Sequence, residues 1–339
     1  MAPGGGITSP RAEVGLGERS IGIKRRRAYL IGALATLALA EPATLALDGA
    51  EASDAYALPQ VSMVAEATTD STAADALRET YTGLRTQLEQ SPFQRPLHLE
   101  SAVESRSSQG DVYAVVDYPM SRLSGSLTNP DNWCEVLMLH VNVKSCRVDP
   151  GDENPVLRVA IGRKYDQPSK KAYPVEFTFC VTSSGDDYMS VVLDAGEGPF
   201  GTRDYRIALE AVALEGDRVL LHLRYSLNYG FQARVALKTY LATSGSGKVG
   251  FTMVAPHTDR PPRLVRGMRG AVERNVMRYY LAIEAYLAAL PLPEPERFER
   301  SLALWFDATE MYSAQLHELD REDYLAMKRV ERERQQALQ

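Results

Sequence analysis

"PPRLVRGMRGAVERNVMRYYLAIEAYLAALPLPEP", residues 261–295, is a helix written between prolines. Proline is tolerated at a helix start but blocks an interior, so Pro261-Pro262 and Pro291, Pro293 and Pro295 fence the segment. Between them Met268, Val272, Val276, Tyr279, Ile283, Tyr286 and Leu290 recur at steps of three and four, which aligns them on one stripe. Arg269, Glu273 and Arg278 fall mostly elsewhere. A long helix with an apolar stripe requires an apolar surface to lie on.

The preceding chain supplies that surface. From residue 97 to about 254 the period is two. "LHLESAVES" (97–105) and "DVYAVVDY" (111–118) read as strands joined by a turn at 107–110, and "PMSRLSGSLTNPDNW" (119–133) interrupts with one or two short helices. "VLMLHVNVKSCRV" (136–148) alternates, with Leu137, Leu139, Val141 and Val143 on one side and Met138, His140, Asn142 and Lys144 on the other. "LRVAIGRK" (157–164), "PVEFTFCVTSS" (174–184), "YMSVVLDAG" (188–196) and the hairpin "DYRIALEAVALEGDRVLLHLRYSLNYG" (204–230) continue the meander. "QARVALKTYLAT" (232–243) reads as a final strand, answered by "KVGFTMV" (248–254). Connections this short make the sheet antiparallel. One face carries Val175, Phe177, Phe179, Leu221, Leu223, Tyr225, Val235 and Leu237; the opposite face carries Glu176, Thr178, His222, Arg224, Arg234 and Lys238.

The fold class is therefore α+β: a curved antiparallel sheet of about seven strands gripping a long C-terminal helix. This resembles the START-like, or SRPBCC, helix-grip superfamily. The residues that carry the resemblance are "DVYAVVDYP" (111–119), the insert "MSRLSGSLTNPDNW" (120–133), the meander and "RGMRGAVERNVMRYYLAIEAYL" (266–287). In that family the first strand leads into two small helices ending in a turn often written D-P-x-x-W. Asn129-Pro130-Asp131-Asn132-Trp133 occupies that place, handing the chain back to the sheet. The resemblance covers about residues 95–290. It implies a gap between the bent sheet and the straight helix that admits hydrophobic molecules. The ligand-binding residues it implies are Trp133, Phe177, Phe179, Phe200, Leu223, Tyr225, Leu237, Val276, Tyr279 and Ile283. The same stripe fits a filled core equally well, because periodicity does not distinguish a lined space from a packed one.

Flanking segments complete the organisation. "DSTAADALRETYTGLRTQLEQS" (70–91) has Ala74, Leu77, Tyr81, Leu84 and Leu88 at helical spacing, giving an N-terminal helix over 73–92 whose role is packing. Residues 291–339 form a helical C-terminal extension whose charged end reads as a solvated helix. At the start, Lys24-Arg25-Arg26-Arg27 precedes the apolar "AYLIGALATLALA" (28–40), with small residues at Ala38 and Ala40. That is the pattern of a secretory signal peptide, cleaved there or after Ala50-Glu51-Ala52; the alternative is an uncleaved anchor. Arg26-Arg27 also fits a twin-arginine pattern loosely, though no cofactor motif follows. Residues 1–52 are thus leader, 53–72 linker, and an exported, periplasmic or secreted protein is expected.

Composition excludes some classes. The net charge of −6, with scattered Lys and Arg beyond the leader, argues against a nucleic-acid partner. No Cys/His spacing suits a metal and no cofactor motif is present. Cys134 and Cys146 flank what reads as one strand and would then sit too far apart to bond. Cys146 with Cys180 remains open beside three free thiols. His140 and His222 fall on the polar side and are expected at the surface. No serine, histidine and acid form a triad. The glycine loops at 196–205 and 244–250 read as an entrance loop, with Phe200 a lid residue, and a hairpin turn, not as phosphate cradles. Tyr225, Tyr229, Tyr279, Tyr280 and Tyr286 offer hydroxyls near the presumed gap, and Arg274 and Asn275 could meet an acidic head group.

The expected function is binding or transport of a lipid, sterol or fatty-acid-class molecule between sheet and helix 266–290, with transient membrane contact. The alternatives are a cyclase or hydrolase using the same space, or an envelope scaffold docking a partner through its helical tail.

Overall fold

In chain order the elements are α1 (Asp70–Glu89), β1 (Leu97–Val103), β2 (Ser107–Val116), α2 (Met120–Leu127), α3 (Pro130–Leu139), β3 (Val143–Asp149), β4 (Val156–Ile161), β5 (Tyr173–Ser184), β6 (Tyr188–Glu197), β7 (Thr202–Leu214) and β8 (Arg218–Tyr229). Then follow α4 (Phe231–Thr243), β9 (Met253–Val254), β10 (Arg263–Leu264), α5 (Gly267–Ala289), α6 (Glu296–Glu310), α7 (Ser313–Leu316) and α8 (Arg321–Gln336). The computed structural model describes residues 70–243, 247–254 and 263–337. The expected leader at 1–52 and nearly all of the linker at 53–72 lie outside the described residues.

Eight antiparallel strands form one sheet in the order β1-β2-β8-β7-β6-β5-β4-β3. Register shifts at Val143/Ser145, Val181/Ser183 and Arg203/Arg206 bend individual strands. The inner face is apolar along its length, from Leu97 and Val112 through Leu221, Leu209 and Val191 to Phe177 and Leu157. Helix α5 lies on this face. At Gly110 of β2, an added Cβ would sit 3.0 Å from Val276 Cγ1 and 3.2 Å from the Val272 carbonyl, so a side chain there would push the helix away.

The sequence stripe supplies only five of the sixteen residues that α5 buries. Met277, Tyr280, Leu281 and Leu287 point away from the stripe and are also buried, because α3 and α6 cover the back of the helix. Trp305 of α6 donates its indole N–H to the Arg278 carbonyl at 3.1 Å. The outer face of the sheet has its own cover. Ala74, Leu77 and Leu88 of α1 pack on Tyr188, Val212 and Leu220, confirming the packing role read for that helix.

Four local expectations are corrected. Residues 130–139 are helix α3, not the start of a strand. Asn129 accepts the Asp131 N–H at 2.9 Å and Pro130 opens the first turn, so the N-P-D-N-W stretch is a helix start. Val136, Leu137, Met138 and Leu139 are all buried, and a helix apolar on every side loses the 3.6 period and mimics alternation. Second, with α3 helical, Cys134 and Cys146 come within 5.2 Å between Cα atoms and form a disulfide joining α3 to β3. Cys180 stays free. Third, 232–243 is helix α4, with Ala, Leu, Gln, Arg and Lys among its residues, and the eight-stranded sheet does not include it. Fourth, the turn between the first two strands lies at 104–107, where Glu104 N–H meets the Ser107 carbonyl at 2.9 Å, and 107–110 belongs to β2.

The charged end of the extension is solvated on one face, where Glu322, Asp323, Arg329 and Glu333 are exposed, but its other face buries charge. Lys328 and Glu331 of α8 and Lys144 of β3 are at most 2 % exposed. Glu331 accepts from Lys144 Nζ at 2.7 Å and from Lys328 Nζ at 2.8 Å. The remaining protons of Lys328 go to the carbonyls of His140 (2.8 Å) and Val143 (2.7 Å), and Lys144 adds the Val141 carbonyl at 3.1 Å. Burial pushes Lys328 down to about 8 against the pull of Glu331. Gln335 accepts the Cys146 N–H at 2.8 Å, so α8 clamps the strand that carries the disulfide.

Breaking this network leaves two buried ammonium groups facing no carboxylate. Glu331→Ala is expected to destabilise the fold by about 3–5 kcal/mol, measured by chemical denaturation. A loss below about 1 kcal/mol would mean that α8 is not seated on β3.

Candidate functional site

A cavity of ≈ 510 Å³ opens where the N-terminal end of α5 leaves the sheet. Its apolar walls are Val103 at the end of β1, Tyr229 at the end of β8, Leu241 and Ala242 of α4, and Met268 in the first turn of α5. Cationic side chains surround these walls: Arg234 and Lys238 of α4, Lys248, Arg266 and Arg269. Among the described residues Glu104 is the one acidic residue in the lining. Lys238, Ala242 and Arg266 are exposed, so the space communicates with solvent.

Local structure explains this placement. The Tyr229 hydroxyl donates toward the carbonyls of Glu104 (3.1 Å) and Ser107 (2.8 Å), fastening β8 beneath the β1–β2 turn. Gly267 starts α5 at φ +63°, a conformation that other residues adopt only with strain. Behind it Glu273, fully buried, accepts from Ser101 Oγ at 2.6 Å and from the N–H groups of Phe251 (2.6 Å) and Thr252 (3.0 Å). One carboxylate thus ties β1, the chain entering β9 and α5 together behind the cavity. On α4 the positions Arg234, Lys238, Leu241 and Ala242 follow the i, i+4, i+7, i+8 pattern of one helical face.

None of the ten sequence-expected ligand residues lines this cavity. Phe177, Phe179, Leu223, Tyr225, Val276, Tyr279 and Ile283 are buried together in the core under α5. Trp133 is fully buried and donates its indole N–H to the Leu127 carbonyl at 2.6 Å, locking α2 to α3. Leu237 is half-buried on helix α4, not on a strand. Phe200, 61 % exposed at φ +61°, sits in the turn before β7 beside α4. Of the five tyrosines only Tyr229 reaches the cavity, and Arg274 instead donates to the Val249 carbonyl at 3.0 Å. The cations of α4 escaped the sequence reading because a strand was assumed there; their four-residue spacing was the available signal.

Both histidines expected on strands, His140 and His222, are buried, which corrects the expected surface placement. His140 caps α3, stacks on Tyr279 at 5.0 Å between ring centroids, and accepts the Asn142 N–H at Nδ1 (3.2 Å). Burial, then the charges of Arg278, Lys328, Lys164 and Lys144, hold its pKa well below the ordinary value, so the ring is neutral. His222 lies on the outer face of the sheet, opposite the cavity. It stacks on Tyr113 at 4.3 Å and is gripped by Asp111 (2.9 Å, Nε2) and Glu210 (3.1 Å, Nδ1). Arg224 and Gln109 also bond Asp111, and the Tyr188 hydroxyl bonds Glu210. The ring of polar groups is fully partnered and has no opening to the cavity side.

No known family matches the chain by sequence, and no curated protein does. Solved structures with related architecture include norcoclaurine synthase from Thalictrum flavum, 13% identical over 43% of this chain and 89% of that chain, with a TM-score of 0.30. A conserved protein of unknown function from Enterococcus faecalis is 10% identical over 76% of this chain and 99% of that one, TM-score 0.29. Human StAR-related lipid transfer protein 5 is 11% identical over 52% and 92%, TM-score 0.28. The sheet order and the long helix on its inner face decide the architecture. This is a helix-grip architecture: one antiparallel sheet folded around a long helix. Its eight strands and C-terminal cover extend the grip beyond the minimum read from the sequence.

The His222 cluster gives the fold a pH signature. Burial alone would lower the His222 pKa, but the hydrogen bonds its ring donates to Asp111 and Glu210 raise it above the usual value. A raised histidine stabilises the folded state below its unfolded value, near 6.5, and that contribution is lost as pH rises through the folded value. The melting-temperature gap between the native chain and His222→Gln is therefore expected to be largest below about pH 6.5 and to shrink as pH rises. A gap that is constant or grows with pH would show that His222 is not held as the cation.

Proposed function

We propose that the chain is an exported helix-grip protein that binds or carries a hydrophobic small molecule in the cavity at the N-terminal end of α5. The observation that carries this reading is the ≈ 510 Å³ space walled by Val103, Tyr229, Leu241, Ala242 and Met268. Its size falls within the range of small-molecule sites, and its apolar walls offer a surface for a hydrocarbon chain. The middle of the sheet–helix contact, where the space was expected, is occupied by Tyr225, Tyr279, Val276 and Ile283. Binding is accordingly assigned to the end of the grip.

Export is supported by two features. The Lys24–Arg27 stretch and the apolar run after it have the layout of a secretory leader. The Cys134–Cys146 bond is of a kind that persists in oxidising compartments. Among the described residues no helix is long and apolar enough to cross a membrane. The cyclase or hydrolase alternative gains nothing from the two histidines, neither of which lines the cavity. The scaffold alternative would need the surfaces of α6 and α8 that pack on α5 and β3.

Two measurements test this reading. Ala242→Trp projects an indole into the cavity from an exposed helix position, so binding of a fluorescent fatty-acyl probe should fall about ten-fold or more with an unchanged melting temperature. Equal binding by the variant and the native chain would remove the cavity from the proposal. Thiol labelling of protein recovered from the exported fraction should modify Cys180 alone, and Cys134 and Cys146 only after reduction. Immediate labelling of all three would count against an oxidised, exported state.

A further inference from the structure

We infer that the molecule taken by this cavity is an anionic amphiphile: a single hydrocarbon chain ending in a carboxylate or comparable anionic head. The inference rests on the cavity being the binding site and adds the class of ligand. On a chain whose net charge is −6, the described residues of the lining place five cations against one carboxylate, a local reversal of sign. That carboxylate, Glu104, bonds the Ser107 hydroxyl at 3.3 Å, and no ion pair joins it to a lining cation among the described residues.

The pair on α4 is the decisive element. Arg234 and Lys238 stand one turn apart on the same helical face, a spacing at which like charges destabilise a helix. Arg234 donates to a neutral acceptor, the Ser105 carbonyl, at 3.3 Å. Neither residue forms an ion pair with a carboxylate among the described residues. By contrast, Lys248 and Arg269 are already engaged, Lys248 with Glu318 at 3.4 Å and Arg269 with Ser101 Oγ at 2.8 Å. A neutral sterol or hydrocarbon would give these two cations no carboxylate partner, whereas an anionic head would.

The first turn of α5 acts in the same sense. Gly267, Met268 and Arg269 lie in the lining, the N-cap residue Arg266 supplies no side-chain cap, and no acidic residue occurs in that turn. The positive end of the helix therefore faces the same space as Arg234 and Lys238. An anionic head placed among these groups gains charge-assisted hydrogen bonds, while its chain lies along Val103, Leu241 and Met268.

The test compares probes of one chain length and different heads: dodecanoate, dodecanol and dodecylamine, measured by displacement of a fluorescent acyl probe from the intact exported protein. Dodecanoate should bind about ten-fold more tightly than dodecanol, with dodecylamine weakest. Raising salt from roughly 0.1 M to roughly 1 M should narrow the difference. The double variant Arg234→Gln/Lys238→Gln, at exposed or half-buried surface positions, should bind dodecanoate no more tightly than it binds dodecanol. Equal binding of dodecanoate and dodecanol by the native chain, or no effect of the double variant, overturns the anionic class and leaves the cavity reading standing. Binding of none of the probes overturns both.

Discussion

The fold depends on a helix with no exposed side to spare. Val276, Met277, Leu281, Ala282, Ile283 and Leu287 of α5 are completely buried, and together they cover most of the helix circumference. A sheet can satisfy one face of a helix, so the rest of this one must be enclosed by something else. That demand explains elements with no obvious purpose in isolation. Helix α3 fills one flank, α6 lies across the back with Phe298, Leu302 and Trp305 inward, and α7 closes the turn to α8. Removing the C-terminal segment would therefore open the core.

Once α6 is committed to α5, α8 is brought over β3, and the chain meets a polar problem there. The loop between α3 and β3 leaves the carbonyls of His140, Val141 and Val143 facing inward, and Lys144 and Lys328 donate to them. Two buried ammonium groups then require a carboxylate, which Glu331 provides to both. The disulfide from Cys134 to Cys146 ties the same two elements covalently. Polar satisfaction, charge pairing and cross-linking converge on the junction between α3 and β3, the place where the sequence pattern was most misleading.

The pattern of errors has a physical cause. Strands with one apolar and one polar face, such as Phe177–Phe179 in β5 and Leu221–Leu223–Tyr225 in β8, were legible because their period of two reflects two different environments. So was α5, by its stripe. Helix α3 was not, since burial on every side leaves Val136 to Leu139 uniformly apolar. Helix α4 failed for the opposite reason: Phe231, Val235 and Lys238 are all exposed, so no strong period exists to read. The face rule also broke down at His222, because α1 covers the outer surface of the sheet next to it and turns nominally exposed positions into buried ones. Of the candidate site, the fold-level idea of a space beside α5 was readable, but its position depended on α4 and therefore was not.

The position of the cavity follows from where large side chains run out. In the middle of the grip, Tyr205, Tyr225, Tyr279 and His140 form a continuous aromatic series, with neighbouring centroids 6.2, 5.6 and 5.0 Å apart. Such a series is wide enough to span a bent sheet and a straight helix, so the mismatch is absorbed there. Toward the start of α5 the lining residues are Gly267, Met268 and Arg269, and the partner strands end at Val103 and Tyr229. Flexible or charged side chains do not fill a dry gap, because their heads must reach water. The gap is therefore displaced to the one end of the helix where solvent, cations and apolar wall meet. The same geometry that closes the centre of the core leaves an amphipathic opening at its edge.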